Sequence, residues 1–123
     1  MYRTLMKSKI HRATITRTDL NYVGSITIDE QLMEAADFVA NERVQIVNLN
    51  NGERFETYVI VGDKGLGSIE LNGAAARLAE EGDIVIIISY AQYSETECVE
   101  HQPIVVLVDD QNHIKDSVKV EQN

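Results

Sequence analysis

Short extended runs separated by turn residues are the feature that most constrains how this chain can fold. Eight runs of strand length carry alternating or continuous apolar residues. They are residues 1–16, 23–28, 44–49, 55–61, 68–71, 84–90, 104–108 and 114–120. Turn clusters rich in Asn, Asp, Glu and Gly divide several of them, at residues 50–52, 62–65, 81–83 and 109–112. Many short strands at this spacing predict a small, mainly β barrel or sandwich.

Two helical segments interrupt these runs. Asp29 can cap the first, because apolar residues follow it at the 3-and-4 spacing of a helix face. That face comprises Leu32, Ala35, Ala36 and Val39. Asn72 can cap a shorter helix that runs through Ala75, Leu78 and Ala79 and ends at Gly82.

The length of 123 residues predicts one domain, residues 1–123, with a single buried core. Cys98 is the only cysteine, so no internal disulfide can form, which favours the cytoplasm. No apolar run approaches the roughly 20 residues that span a bilayer, and the basic N-terminus lacks the apolar centre of a signal peptide. Residues 110–123 are polar and weakly patterned, so we expect them to fray unless residues 114–120 form a last strand.

The charge of the chain is unevenly distributed. The formal net charge is −9, yet residues 1–25 hold five Lys and Arg residues against one Asp. An acidic protein is a poor candidate for binding nucleic acid. The basic opening segment either attracts a small anionic ligand or is the solvated face of a strand.

Gly24 and Ser25 interrupt the extended run NYVGSITID, at a point where a strand does not favour glycine. Glycine adopts backbone conformations that strain other residues and leaves its carbonyl open to approach. If the fold holds the Ser25 hydroxyl against the Gly24 carbonyl carbon, intramolecular attack converts the peptide to an ester. Elimination then breaks the chain and leaves dehydroalanine, which hydrolyses to a pyruvoyl group. The dipeptide alone is a weak signal, because many proteins contain it.

Four blocks of sequence over residues 1–90 support this interpretation. They read MYRTLMKSKIHRATIT, LNYVGSITID, ERVQIVNLNNGERFETYVI and LNGAAARLAEEGDIVIIISY. In order and spacing they resemble the pyruvoyl-dependent aspartate 1-decarboxylases, carboxy-lyases that make β-alanine and CO2 for pantothenate and coenzyme A biosynthesis. The resemblance implies a six-stranded double-psi β-barrel with two or more short helices. It also implies autocatalytic cleavage of a zymogen between Gly24 and Ser25, into chains of residues 1–24 and 25–123.

The resemblance further implies a covalently bound pyruvoyl group derived from Ser25, with neither pyridoxal phosphate nor a metal ion. Such a ketone condenses with the substrate amine to a Schiff base and draws in the electrons that decarboxylation leaves behind. Tyr58 matches the family's proton donor, although a tyrosine on this strand could equally be structural. Thr57 matches a residue that contacts substrate and assists cleavage. Neighbours on a regular strand point to opposite sides, so these two diverge unless the strand twists or bulges.

The substrate L-aspartate carries two carboxylates, which need cations. Lys9 and Arg54 match the family's substrate-facing basic residues, where surface solubility is the alternative role. Gly73, Ala74 and Ala75 match a loop that binds substrate through main-chain N–H groups. A capped helix start with small residues for packing is compatible with that role.

Three further residues are assigned supporting roles. His11 either orients its neighbours or is a strand residue whose hydrogen bonds are satisfied within the fold. Tyr22 either lies near the pyruvoyl group or packs in the core. Asn72 begins the substrate loop. Val47 stands where some relatives carry a bulky aromatic residue, so the lining of the pocket could differ there.

The family's members are homotetramers with sites at subunit boundaries, which implies that the basic segment of one copy completes a neighbour's pocket. Two other readings remain open. One is a non-catalytic barrel that binds or scaffolds a partner, against which Gly24-Ser25, Thr57 and Tyr58 count. The other is the same chemistry on a related amino acid such as glutamate, which is less favoured because the cation spacing is unchanged.

Overall fold

The computed structural model describes residues 1–119, and strands make up most of it. The nine strands are β1 (Tyr2–Thr14), β2 (Arg17–Asp19), β3 (Ser25–Asp29), β4 (Arg43–Asn48), β5 (Arg54–Gly62), β6 (Ile69–Asn72), β7 (Ile84–Ser94), β8 (Ile104–Val108) and β9 (Ile114–Lys119). The helices are α1 (Glu30–Ala36), α2 (Glu95–Glu100) and a 3₁₀ helix (Gly73–Leu78). Within the described residues, no helix has the length and apolar character needed to cross a membrane.

The strands form one sheet that turns back on itself. Their order is β2-β6-β3-β5-β4-β7-β1-β8-β9. β1 and β2 are one stretch of chain broken at Ile15 and Thr16. The Ile15 N–H donates to the Asp83 carbonyl just before β7 at 2.9 Å, whereas the Thr16 N–H donates to the Ile69 carbonyl of β6 at 2.8 Å. The path β1–β2, β6, β3, β5, β4 and β7 therefore surrounds the core, although the hydrogen-bonded ladder itself is open.

A small, mainly β barrel with short helices is thus confirmed, and six stretches of strand surround its core when β1–β2 is counted as one. The sheet has nine strands, since β2 pairs separately with β6 and since β8 and β9 extend the sheet beyond β1. Three pairings are parallel, β3 with β5, β2 with β6 and β1 with β8, and the others are antiparallel. Such parallel pairs bring together parts of the chain that are distant in sequence, which a local pattern cannot specify.

The core consists of the inward-facing positions of these strands. Buried and half-buried residues alternate along β4 and β7, as they do where one face of a strand points inward. Burying each large aliphatic side chain contributes about 1.5–3 kcal/mol. The largest fully buried side chains are Ile10, Ile15, Ile26, Ile28, Leu32, Ile46, Ile69, Leu71 and Ile87.

Helix α1 begins where the sequence predicts and ends earlier. The Asp29 carboxylate caps it by accepting from the Gln31 N–H at 2.8 Å. The same carboxylate accepts from the N–H groups of Gly65 and Gly67 at 2.9 and 2.8 Å, which ties the end of β3 to the turn after β5. The helix stops at Asp37, whose φ of 58° is left-handed. Val39 was expected on the apolar face, but it lies beyond the helix and is 62% exposed, so that assignment is wrong.

The second predicted helix is also shorter than expected. It is a 3₁₀ helix that ends at Leu78 rather than Gly82, and the Asn72 side chain makes no capping hydrogen bond to it. Helix α2 was not predicted individually, although its start carries a capping box. The Ser94 side chain accepts from the Glu97 N–H, and the Glu97 carboxylate accepts from the Ser94 N–H.

The C-terminal segment forms a last strand, β9, over Ile114–Lys119. β9 pairs with β8 in antiparallel register from Ile104 opposite Lys119 to Val108 opposite Ile114. The alternative of a last strand is therefore correct as far as residue 119. Residues 120–123, which the expected tail includes, lie outside the described residues.

Candidate active site

The Gly24-Ser25 bond lies where an exposed segment enters the buried sheet. Residues 20–24 are exposed. Ser25, the first residue of β3, is 0% exposed and lies opposite Asn72 in the antiparallel pairing with β6. The serine side of the bond is therefore fixed by the sheet, whereas the glycine side is reached from solvent.

The Ser25 hydroxyl is held by two hydrogen bonds. It accepts from the Asn72 side-chain amide at 2.9 Å and donates to the Val23 carbonyl at 3.0 Å. The Asn72 amide also donates to the Thr27 hydroxyl at 3.0 Å. Asn72 thus organises the hydroxyls of β3 instead of capping the helix that follows it, which corrects the expected role. In this geometry the Ser25 hydroxyl donates to the Val23 carbonyl, which lies one residue before the Gly24 carbonyl that the hydroxyl would attack.

A cavity of about 340 Å³ opens beside this bond and gathers five of the predicted site residues. Its lining consists of Gly24, Phe55, Glu56, Thr57, Tyr58, Ala74, Ala75 and Leu78. Thr57 and Tyr58 both contribute to the lining although they are neighbours on β5. Phe55 and Leu78 provide apolar wall that the sequence argument did not assign to the site. In the sequence these two residues are distinguished only by their place in apolar segments, which equally predicts that they are buried in the core.

Gly73 forms a close backbone contact with the bond. Its φ is +66°, and a Cβ built on it would lie 2.6 Å from the Gly24 Cα, 2.7 Å from the Gly24 N and 3.0 Å from the Tyr22 carbonyl oxygen. Real Cβ atoms essentially never approach other heavy atoms within 3.0 Å. Only glycine therefore fits at residue 73 with this chain path.

Gly24, by contrast, does not need the conformational freedom that the sequence argument gave it. It is not among the residues with positive φ, and the nearest atom that a Cβ on it would meet is the Asn72 carbonyl oxygen at 4.0 Å. The backbone conformation at Gly24 therefore does not itself require glycine. Its exposure still leaves the carbonyl accessible.

Lys9 and His11 do not line this cavity. Both are on β1, which β7 and β4 separate from β5. The Lys9 backbone lies opposite Ile88 and Val105 in the two ladders.

His11 is in an unusual environment. Burial lowers the pKa of its imidazole, and the nearby charges of Lys9 and Arg12 lower it further. Its Nδ1 is buried and has no hydrogen-bond partner among the described residues. Arg12 adopts a left-handed φ of 62°, where the pairing of β1 with β7 shifts register. His11 lines a separate cavity of about 380 Å³, so a single copy of the chain does not bring it to the Gly24 cavity.

Arg54 and Tyr22 are also outside the lining of the 340 Å³ cavity. Arg54 is exposed at the start of β5, where its Nη2 donates to the Gln45 Oε1 at 3.4 Å, and it lies opposite Val47. Tyr22 is 55% exposed, so the core-packing alternative is wrong. It lines a second cavity, of about 430 Å³, which also contacts Asn72.

A polar cluster that the sequence argument missed supports the strand bearing Tyr58. The Glu42 carboxylate accepts from Lys7 at 3.0 Å and from the Ser89 hydroxyl, which links β1, β7 and the segment before β4. The Glu42 carbonyl accepts from the Val59 N–H at 3.0 Å, next to Tyr58. Burial alone would raise the pKa of Glu42, but hydrogen bonds from Ser89, the Val39 N–H and Lys7 outweigh it and hold that pKa below its ordinary value.

The family model of the aspartate decarboxylases matches residues 1–115. The chain belongs to the aspartate decarboxylase family. It is 60% identical to the aspartate 1-decarboxylase of Neisseria meningitidis serogroup C, over 98% of this chain and 95% of the relative. It is 63% identical to the aspartate 1-decarboxylase of Bacillus velezensis, over 94% of this chain and 91% of the relative.

Among solved structures, the computationally designed protein msDPBB_sym2 covers 69% of this chain and 96% of its own, with 17% identity and a TM-score of 0.43. A score at that level adds nothing to the fold argument. Membership of the aspartate decarboxylase family therefore rests on sequence.

Proposed function

We propose that this aspartate decarboxylase family member cuts itself between Gly24 and Ser25 and then converts L-aspartate to β-alanine and CO2. The observation that carries the proposal is the buried Ser25 hydroxyl, which Asn72 holds beside a cavity lined by Gly24, Thr57 and Tyr58. The names and high identity of the curated relatives support the same reaction.

Self-cleavage begins with the Ser25 hydroxyl. Its Oγ bonds to the Gly24 carbonyl carbon, the peptide C–N bond breaks, and the hydroxyl proton ends on the freed amine, so the peptide becomes an ester. Loss of the Ser25 α-proton then expels the Gly24 carboxylate. The dehydroalanine that remains takes up water and loses ammonia, which leaves a pyruvoyl group on residue 25. Thr57, in the same lining as Gly24, is suited to donate to the Gly24 carbonyl oxygen as negative charge develops there.

The position of Ser25 fits such a group. The residue lies at the start of β3, where its backbone is anchored by β6 and the cavity lies alongside. When present, a pyruvoyl group supplies a ketone that joins to the substrate amine and takes up the electron pair that decarboxylation releases. Tyr58 would hold the proton that replaces the lost carboxylate, because its phenol belongs to the same lining. The proposal requires neither pyridoxal phosphate nor a metal ion.

The cavity of one copy lacks a cation for the substrate. Among the residues that line it, Glu56 is the only charged one. L-aspartate retains one carboxylate through the reaction, which needs a positive partner. We therefore propose that Arg54 reorients towards the cavity and that Lys9 and His11 act from a neighbouring copy in a homotetramer. Such an enzyme would act in the cytoplasm and supply β-alanine to pantothenate and coenzyme A biosynthesis.

Intact-mass measurement tests the proposal most simply. The purified protein should separate into residues 1–24 and residues 25–123, with a keto group in place of the second chain's amine, and it should release CO2 from L-aspartate. Ser25→Ala should remain one chain without activity. A wild-type protein that stays uncut after prolonged incubation and releases no CO2 would contradict the proposal and favour a non-catalytic barrel.

A further inference from the structure

We propose that Gly73 is a positioning residue for self-cleavage: its missing side chain provides the surface on which Tyr22–Gly24 is seated, which sets the Gly24 carbonyl against the Ser25 hydroxyl. The inference rests on the proposed self-cleavage and deepens it. It assigns the glycine requirement of the site to residue 73 rather than to Gly24.

The contact is formed by backbone atoms that cannot rotate away. A Cβ at residue 73 would overlap the Gly24 Cα and N at 2.6 and 2.7 Å and would press on the Tyr22 carbonyl oxygen at 3.0 Å. A flexible side chain would relieve such contacts by changing rotamer, but a peptide segment must move as a whole. The Tyr22–Gly24 segment would have to shift by several tenths of an ångström or more.

The two sides of the Gly24-Ser25 bond differ in their freedom to shift. Ser25 is buried, pairs with Asn72 in the sheet and receives a hydrogen bond from the Asn72 amide. Residues 20–24 are exposed and belong to no helix or strand. A side chain at residue 73 would therefore displace the attacked carbonyl relative to the Ser25 backbone, which its pairing with Asn72 holds, and would also move the Val23 carbonyl to which the Ser25 hydroxyl donates. A misplacement of about 1 Å between reacting groups costs on the order of 100-fold in rate.

Other glycines in this chain provide matched controls. Gly65 and Gly82 have left-handed φ values of +88° and +91°, yet a Cβ on either would meet nothing within 4 Å. Alanine there introduces only the backbone strain. Gly67 has a φ of +71°, and a Cβ on it would lie 2.4 Å from the Gln111 carbonyl oxygen, far along the chain from the cleaved bond. Gly67→Ala therefore introduces strain together with a backbone clash that does not involve Gly24.

The experiment measures the first-order rate at which freshly purified precursor is converted to two chains, by intact mass, in the full-length protein. We expect Gly73→Ala to cleave more slowly than the wild type, by roughly 10- to 100-fold. Gly65→Ala and Gly82→Ala should cleave at the wild-type rate. Gly67→Ala should lose thermal stability, but its folded fraction should cleave normally.

Gly73→Asn separates the clash from the backbone strain and is also the better candidate to fold. Asparagine tolerates the left-handed region more readily than alanine, yet it carries the same Cβ. If the contact with Gly24 is the cause, Gly73→Asn is as slow as Gly73→Ala. A return to the wild-type rate in Gly73→Asn would overturn the proposal, because strain alone would then explain the effect.

Hydroxylamine gives a readout that a general loss of stability would not produce. It cuts an ester between Gly24 and Ser25 but leaves the Gly24-Ser25 peptide bond intact. Because the proposed defect precedes ester formation, hydroxylamine should release no residues 1–24 fragment from Gly73→Ala beyond its slow spontaneous cleavage. Rapid release by hydroxylamine would place the defect after the ester and overturn the proposal.

The remaining outcomes are equally decisive. Cleavage of Gly73→Ala within about threefold of the wild-type rate would refute the positioning role. So would failure of both Gly73 variants to fold while Gly67→Ala folds, since Gly73 would then be needed for folding itself. A wild-type precursor that never cleaves would instead refute the self-cleavage proposal. That failure is distinguishable from failure of the Gly73 proposal, because it is observed in the protein without any substitution.

Discussion

Replacing Tyr58 by phenylalanine separates the chemistry of the proposed reaction from folding and from self-cleavage. The substitution keeps the half-buried ring that lines the 340 Å³ cavity and removes only the hydroxyl. The expected loss of stability is below about 0.5 kcal/mol, since the packing of the ring is unchanged. General acid catalysis contributes about 10²–10⁴ in rate, so kcat should fall by that factor. The corresponding rise in the activation barrier is about 3–5 kcal/mol.

The assay follows CO2 release from L-aspartate by protein that intact mass shows to be fully cut. Tyr93→Phe is the matched control, because the Tyr93 ring packs against the His101 ring with centroids 4.2 Å apart and lies outside the lining of the Gly24 cavity. It should turn over like the wild type. A kcat for Tyr58→Phe within about threefold of the wild type would remove the proton-donor role from Tyr58.

Three further predictions concern the surroundings of the site. The first concerns the 3.0 Å hydrogen bond from Asn72 to Thr27 and uses a Ser25→Ala background, which stays uncut. A double-mutant cycle of Asn72→Ala and Thr27→Val, measured by urea unfolding at one protein concentration, should give a coupling energy of about 0.5–1.5 kcal/mol. A coupling energy near zero would show that this hydrogen bond does not stabilise the fold. Because the pKa of Glu42 is held below its ordinary value of 4.5, the charged form stabilises the fold fully above that pH and loses this contribution as the pH falls through the lowered pKa. The acid-side fall in the urea midpoint should therefore be shallower in Glu42→Gln, and identical slopes would rule the contribution out. Finally, co-expressed Lys9→Ala and Tyr58→Phe chains should regain about a quarter of wild-type activity if each site draws Lys9 from a neighbour, whereas a site built from one copy would show no recovery.

The strands and the start of the first helix could be read from the sequence because local patterns determine them. Alternating apolar residues place β4 and β5 within one residue of their observed bounds and place the start of β7 at Ile84, although β7 continues four residues beyond its predicted end. Asp29 caps α1 as its position before an apolar 3-and-4 pattern predicts. The end of that helix could not be predicted, since Asp37 adopts the left-handed conformation that glycine usually supplies at this position.

The roles of Asn72 and Gly73 depend on strand pairing and therefore had to come from the structure. Asn72 reads as a helix cap when only its neighbours in sequence are considered. The antiparallel register of β3 with β6 instead places it opposite Ser25, where donating to the serine hydroxyl competes with capping. Gly73 reads as a small residue in a substrate loop. Its contact with Gly24 exists only because the exposed segment before β3 passes over the end of β6.

The basic residues proposed to bind substrate could be identified from the sequence, but a single chain does not bring them to the cavity. Lys9 and His11 are three strands away from Tyr58 in the sheet order, and Arg54 is turned towards Gln45. The missing information is the arrangement of neighbouring copies, which no pattern within one chain encodes directly. The self-cleavage residues and the cavity are by contrast contained in one copy.

Reductive trapping of the mature protein is the measurement that bears most directly on a ketone at residue 25. Borohydride added together with L-aspartate should increase the mass of the residues 25–123 chain by one joined substrate and abolish activity, while the residues 1–24 chain stays unchanged. Mature protein that remains unmodified and fully active after this treatment would contradict the account.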